Sequence, residues 1–181
     1  MDPDRVPGSA KFTATLRILF SVCLILALGS CSKKEKWIDV DPAFSQFIDA
    51  YTTGTISKTS SIRIQLASAT STTHALGEEV KEKLFSFSPS VKGKATWLDA
   101  RTIEFKPESD LKSDQLYEVS FKLGKVTRVP DKYSSFRFSM KTVKPSFKVT
   151  EYGLRSNGTK NKMSLSGEVV TADVEKGADI E

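Results

Sequence analysis

Cysteine is almost absent from this chain: there are two in 181 residues, Cys23 and Cys31, both in the first fifth. The long remainder can form neither a disulfide nor a cysteine metal site, so its fold has to hold by packing alone. Histidine occurs once, as His74 in the Ser/Thr-rich stretch SATSTTHALG. A metal centre or a nucleophile–histidine–acid triad needs further partners in reach, and His74 has no such cluster, so it reads as a solvated loop side chain. Asp39 and Asp41 lack the DxDxDG run of a calcium loop and read as part of a polar tether, and no glycine-rich phosphate loop occurs. An excess of one charge is missing too. The formal charge is +5, and residues beyond position 30 carry 24 basic and 20 acidic side chains, evenly spread, which argues against nucleic acid as a partner. No catalytic residue, cofactor or metal is expected, and therefore no enzymatic activity.

What the chain does have is one apolar run. Ile18 to Leu28, ILFSVCLILAL, is about as long as the hydrophobic region of an export signal and well short of the roughly 20 residues a spanning helix needs. Lys11 and Arg17 precede it as the positive flank. Leu28-Gly29-Ser30-Cys31 at its border resembles the lipobox of bacterial lipoproteins, with a leucine three residues before the cysteine and small residues between. The resemblance implies that residues 1–30 are removed as a signal helix. Cys31 would then be acylated on sulfur as the mature N-terminus, tying the protein to the membrane through lipid. Ser32 after the cysteine would, by the habit of that family, favour the outer membrane. Residues 31–43 read as a polar tether.

From Phe44 onward the helical period is mostly missing, and short runs alternate apolar and polar residues as half-buried strands do. Ile62, Ile64 and Leu66 share a face, as do Phe85 with Phe87, Ala95 with Trp97, and Ile103 with Phe105. Tyr117, Val119, Phe121 and Leu123 form the longest row, and Phe136, Phe138 and Met140 another. Pro89, Pro107 and Pro130 fall between strands, where a missing donor costs least. Asp99-Ala100 fits either a tight hairpin turn or a loop of three or four residues. Gly77 to Lys83, GEEVKEK, is the one credible helical connector. Six to eight strands without βαβ alternation predict an all-β fold, an antiparallel immunoglobulin-like β-sandwich over residues 44–143.

The stretches SIRIQLA and LFSFSPSVKGKATWLDARTIEFKPESDLKSDQLYEVSF resemble the first domain of bacterial alpha-2-macroglobulins. The resemblance is carried by Phe87 and Pro89 before VKGKATW, the turn LDARTIEFKP, and Leu111 with Tyr117 and Val119. After Pro145, FKVTEYGLRSNGTKNKMSLSGEVVTAD looks like the opening strands of a second such domain over residues 146–181, with Asn157-Gly158 as a type I′ turn. Asn157-Gly158-Thr159 also matches a glycosylation sequon, but the turn is the better reading. Two strands of about seven are too few for a sandwich, so the chain is expected to be a fragment or truncated product of something longer.

Macroglobulins of this family trap proteases: a bait segment is cut, the molecule collapses around the attacker, and many members capture it through a Cys-x-Glu-Gln thioester. Cys23 is followed by Leu-Ile-Leu and Cys31 by Ser-Lys-Lys, so neither fits that motif. What the resemblance implies for this chain is anchoring and scaffold. Its partners would be the membrane through Cys31, downstream domains of the same kind, and host or competitor proteases met by the full-length protein. The alternative from another class is an adhesion or glycan-binding immunoglobulin-like module on a surface lipoprotein.

Overall fold

The computed structural model describes residues 35–70, 73–156, 158 and 162–177. The signal segment, Cys23 and Cys31 lie outside them, as do Asn157 and Thr159 of the expected turn. The body divides into two four-stranded sheets and a separate hairpin. Strands β1 (Ile48–Tyr51), β3 (Ile62–Leu66), β6 (Thr102–Pro107) and β5 (Gly93–Trp97) form one sheet in that order. Strands β2 (Gly54–Ile56), β8 (Phe136–Thr142), β7 (Leu116–Phe121) and β4 (Phe85–Ser88) form the other. All pairings in the sandwich are antiparallel except β2 with β8, which run parallel. This is the strand order of an immunoglobulin-type sandwich, with the second half of the first strand crossing to the opposite sheet.

That crossing is fixed on both sides. Thr52 N–H donates to the Arg63 carbonyl in the first sheet, the Thr53 hydroxyl donates to the Ser139 carbonyl in the second, and Gly54 sits at φ +75 between the two strand halves. A side chain at Gly54 would be strained by that backbone conformation.

The alternation read from the sequence puts the inward rows where packing needs them. Ile62, Ile64 and Leu66 from β3 face Tyr117, Val119 and Phe121 from β7 and Phe136, Phe138 and Met140 from β8 across a single core, all buried. No cysteine lies between residues 35 and 177, and aromatic rings close the two sheets instead. Tyr51 of β1 meets Phe136 and Phe138 of β8 at centroid distances of 4.9 and 5.0 Å, while Phe105 of β6 meets Phe87 and Phe85 of β4 at 4.6 and 5.4 Å. Such pairs contribute about 0.5–1.5 kcal/mol each beyond the area they bury. A cis peptide joins Ser88 to Pro89.

A tyrosine near the start of β7 ties down the corner before it. The Tyr117 hydroxyl accepts from the Lys112 amide at 3.0 Å, five residues upstream, while Leu111 is buried and donates its own amide to the Lys58 carbonyl. A tyrosine corner of this kind is a hallmark of the immunoglobulin architecture.

One connection differs from expectation, and another decides between two alternatives left open by the sequence. Residues 77–83 are not helical: the segment lies along the outer edge of β5, with Glu79 bridged to Thr96, Gly77 donating to the Trp97 carbonyl and Val80 to that of Ala95. Edge strands leave backbone groups unpaired, and covering them outweighs the weak helical preference of seven residues that include Gly77 at φ +79. Between β5 and β6 the loop is four residues long, and the Asp99 carboxylate accepts from the Arg101 and Thr102 amides at 2.7 and 2.8 Å, which closes it without a positive φ.

Candidate interaction surfaces

Three regions of the surface have a geometry that core packing alone does not explain. The first is the hairpin of β9 (Phe147–Ser156) and β10 (Met163–Thr171), which pair with each other and with no other strand among the described residues. Nearly every residue of it is exposed. Its register sets Val149 opposite Val169, Leu154 opposite Leu165 and Phe147 opposite Thr171. Between Glu151 and Leu154, β9 spends one residue more than β10 does between Gly167 and Leu165, a bulge with Gly153 at φ +83. The extra residue shifts the side-chain alternation, so Phe147, Val149, Leu154, Met163, Leu165 and Val169 fall on one face. Lys148, Thr150, Arg155, Ser164 and Glu168 take the other, where the Tyr152 hydroxyl donates to Glu168 at 2.7 Å. One face of the hairpin is thus largely apolar and exposed, interrupted by Glu151 opposite Gly167 and by Ser156 and Thr171 near its ends.

The second region is the junction that holds this hairpin to the sandwich. Asp173, just past β10, accepts from the Ser57 hydroxyl at 2.5 Å and the Lys58 amide at 2.8 Å, both in the turn between β2 and β3. Glu175 pairs with the Lys58 ammonium at 2.6 Å, both side chains being largely buried, and Lys176 approaches Asp110 at 3.7 Å. Burial pushes the Asp173 carboxyl up, but the donors Ser57, Lys58 and Val174, with the Lys58 charge, outweigh it and hold the group below its ordinary value. A cleft of about 800 Å³ opens beside this clasp, lined by Lys58, Ser113, Phe147, Val149, Val169 and Glu175. Across the same corner Asp114, at φ +52, pairs with Lys141 at 2.9 Å, and that hydrogen bond lowers its carboxyl despite some desolvation.

The third region is the N-terminal approach. Ile38 N–H donates to the Ser139 hydroxyl of β8 at 3.0 Å, Val40 packs against the core, and Asp41 caps a 3-10 turn, Pro42–Gln46, by accepting from the Ala43 amide. Asp41 therefore has a capping task. Phe44 and Phe47 of that segment pack on Tyr133, at 5.1 and 5.4 Å. Trp37, immediately before the attachment, is 43% exposed.

No protein-family model matches the chain, and no curated protein matches it. Among solved structures it is similar to L,D-transpeptidase 3 from Mycobacterium tuberculosis, with 10% identity and a TM-score of 0.37 over 57% of this chain and 39% of that one. A complex of that enzyme with a faropenem-derived adduct gives 11% identity and a TM-score of 0.38, over 71% and 48% of the two chains. An L,D-transpeptidase from M. tuberculosis H37Rv gives 11% and 0.38, over 70% and 51%. The chain spans about half or less of the length of these enzymes. At this distance the likeness carries no activity across, and the fold rests on the strand order itself.

His74 is placed differently from a solvated loop residue. Its ring stacks on Trp97 at 4.0 Å with the planes 6° apart, and its Nδ1 is buried 3.5 Å from Glu78 Oε1 without forming a hydrogen bond. A hydrophobic shelf next to a polar loop is enough to recruit an imidazole, and nothing in the local sequence signals that Trp97, 23 positions on, supplies it. The Glu78 carboxyl is held low, first by the Ala75 amide that donates to it and then by His74 and Lys81. Among the described residues no group of three or more metal-ligating side chains occurs, and no helix is long and apolar enough to cross a membrane. Cys31, the predicted lipid site, lies outside the described residues. The clasp at Asp173 and the bulge at Gly153 were not foreseen: one joins residues 116 apart, and the other breaks the alternation on which strands are read.

Proposed function

We propose that this chain is the lipid-anchored N-terminal scaffold of a bacterial alpha-2-macroglobulin-like protease trap. Acylated Cys31 would hold it to the outer membrane, the sandwich would serve as a rigid spacer, and the hairpin would open a second macroglobulin-like domain. The observation that carries this reading is the uncovered apolar face of β9 and β10 on a hairpin that is nonetheless clasped to the sandwich through Asp173, Glu175 and Lys58. An isolated hairpin is marginal in water, and six large apolar side chains on one face of it call for further strands to cover them. The following strands of a domain in series would supply that cover. Two or three acyl chains, each gaining about 0.8 kcal/mol per buried methylene, would anchor the assembly durably.

The test is to recover from envelope membranes, with an antibody against residues 44–143, the polypeptide that carries this module, and to challenge it with a protease. A macroglobulin-like trap is cleaved once and then shields the protease from large protein substrates while small peptides are still hydrolysed. A recovered protein that leaves the protease equally active on both substrates defeats the assignment, and specific binding of the 44–143 domain on a glycan array would replace it with the adhesion reading. For the anchor, Cys31→Ala should abolish palmitate incorporation; labelling that persists rules Cys31 out.

A further inference from the structure

We propose that two copies of this chain pair through the outer edge of β10, antiparallel about a two-fold axis at Leu165, so that their hairpins merge into one four-stranded sheet. The inference goes beyond the protease-trap reading. It concerns the strand edge of the hairpin in the 181-residue chain, and either can fail without the other.

The two edges of the hairpin are unlike. β9 carries Lys148, Glu151 and Arg155 and is bent by the bulge at Gly153, and both devices discourage strand addition. β10 takes no extra residue, has no proline and carries one charge, Glu168, in nine residues. No strand lies on its other side among the described residues, and Leu165, Val169 and Val170 are exposed along it. Such an edge is a template for another strand. A lone hairpin is marginal in water, whereas three or more strands with an apolar face are stable, and a second hairpin supplies the missing strands.

The pattern of side chains fixes the register. In a two-fold antiparallel pair, an axis midway between residues would set the odd-numbered apolar positions of one copy against the even-numbered polar ones of the other, so the axis has to pass through a residue. At Glu168 it would bring two carboxylates face to face. Among the described residues Lys162–Thr171, only an axis at Leu165 opposes two charges of unlike sign: Glu168 meets Lys162 of the second copy, and Lys162 meets its Glu168. Leu165 then meets itself on the apolar face. Met163 lies opposite Gly167, where the hairpin leaves no room for a side chain, since a Cβ there would stand 2.7 Å from the Thr150 carbonyl oxygen. The antiparallel arrangement also sends the two sandwiches, each clasped through its own Asp173, to opposite ends of the joint sheet. The contact is isologous, so it closes at two copies.

The experiment follows the full chain in mild detergent by sedimentation velocity over a range of concentrations. The expected species is a dimer. Glu168→Lys and Lys162→Glu should each weaken it about tenfold, and the two together should restore it to within about threefold, which a variant that merely misfolds would not do. Leu165→Cys, treated with a short thiol-to-thiol cross-linker, should yield a peptide containing residue 165 joined to its own copy, identified by mass. A monomer at every concentration overturns the proposal. So does association indifferent to both charges, as pairing through the apolar run at residues 18–28 would be, or a double variant that fails to recover.

Discussion

Replacing Asp173 by alanine should loosen the hairpin from the sandwich and cost measurable stability, because this one carboxylate satisfies two donors of the β2–β3 turn. Hydrogen bonds to a charged acceptor contribute about 1.5–3 kcal/mol each when sheltered. Asp173 is only half-buried, and water can replace part of what it offers, so about 1 kcal/mol for each of the contacts with Ser57 and Lys58 is the reasonable size, or about 2 kcal/mol together. For a body of this length that corresponds to a fall in Tm of about 8 °C, followed by circular dichroism. A double-mutant cycle isolates the contact: Ser57→Ala and Asp173→Ala should show a coupling of about 1 kcal/mol. Additivity to within about 0.3 kcal/mol, or an unchanged Tm in the single variant, would refute the clasp. Its pH dependence has a definite sign. Asp173 is held below its unfolded value of about 3.9, so its contribution is fully present above that pH and is lost as pH falls through the lower folded value. The Tm difference between wild type and Asp173→Ala should therefore be the same at pH 7 and 5.5 and should disappear in stronger acid.

Other substitutions test the sandwich itself. Gly93→Ala would put a Cβ 2.4 Å from the Lys106 carbonyl and 2.6 Å from the Phe105 ring, so β5 and β6 must part; a loss of about 2–3 kcal/mol in urea unfolding with an unchanged m-value is expected. Tyr117→Phe removes the hydroxyl that receives the Lys112 amide and should cost about 1–2 kcal/mol, whereas a loss near zero would mean the corner is held by Leu111 alone. Phe138→Ala deletes a fully buried ring between Tyr51 and Phe136 and should cost about 3–5 kcal/mol by the same measurement.

How much of this was legible in the sequence depends on whether a contact is periodic. The rows Ile62-Ile64-Leu66, Tyr117-Val119-Phe121 and Phe136-Phe138-Met140 announce themselves because one buried face imposes a period of two, and their order around the loops is enough for an immunoglobulin-like sandwich. Phe44, Phe47, Ile48 and Tyr51 carry as much apolar surface but follow no period, since the chain there makes a 3-10 turn and then switches sheets, so where the first strand breaks was not readable. The GEEVKEK segment misleads for a related reason: its charges suit a helix, and only the unpaired edge of β5, invisible locally, draws it out straight. Ser57 with Asp173, through side chains, and the Ile38 amide with the Ser139 hydroxyl are hydrogen-bonded pairings more than 100 positions apart, and no local pattern encodes them.

The parallel pairing of β2 with β8 bears on how this module responds to force. Gly54 lies opposite Met140, Thr55 opposite Lys141 and Ile56 opposite Thr142, and the chain enters on the N-terminal side of one strand and leaves by the C-terminal side of the other. Tension applied between residue 38 and residue 145 drags the two strands lengthwise past each other, so their hydrogen bonds are sheared together, where an antiparallel hairpin pulled from one end would unzip rung by rung. A spacer fastened at one end and tugged at the other would thus yield late and all at once, with β2 and β8 as its mechanical fuse.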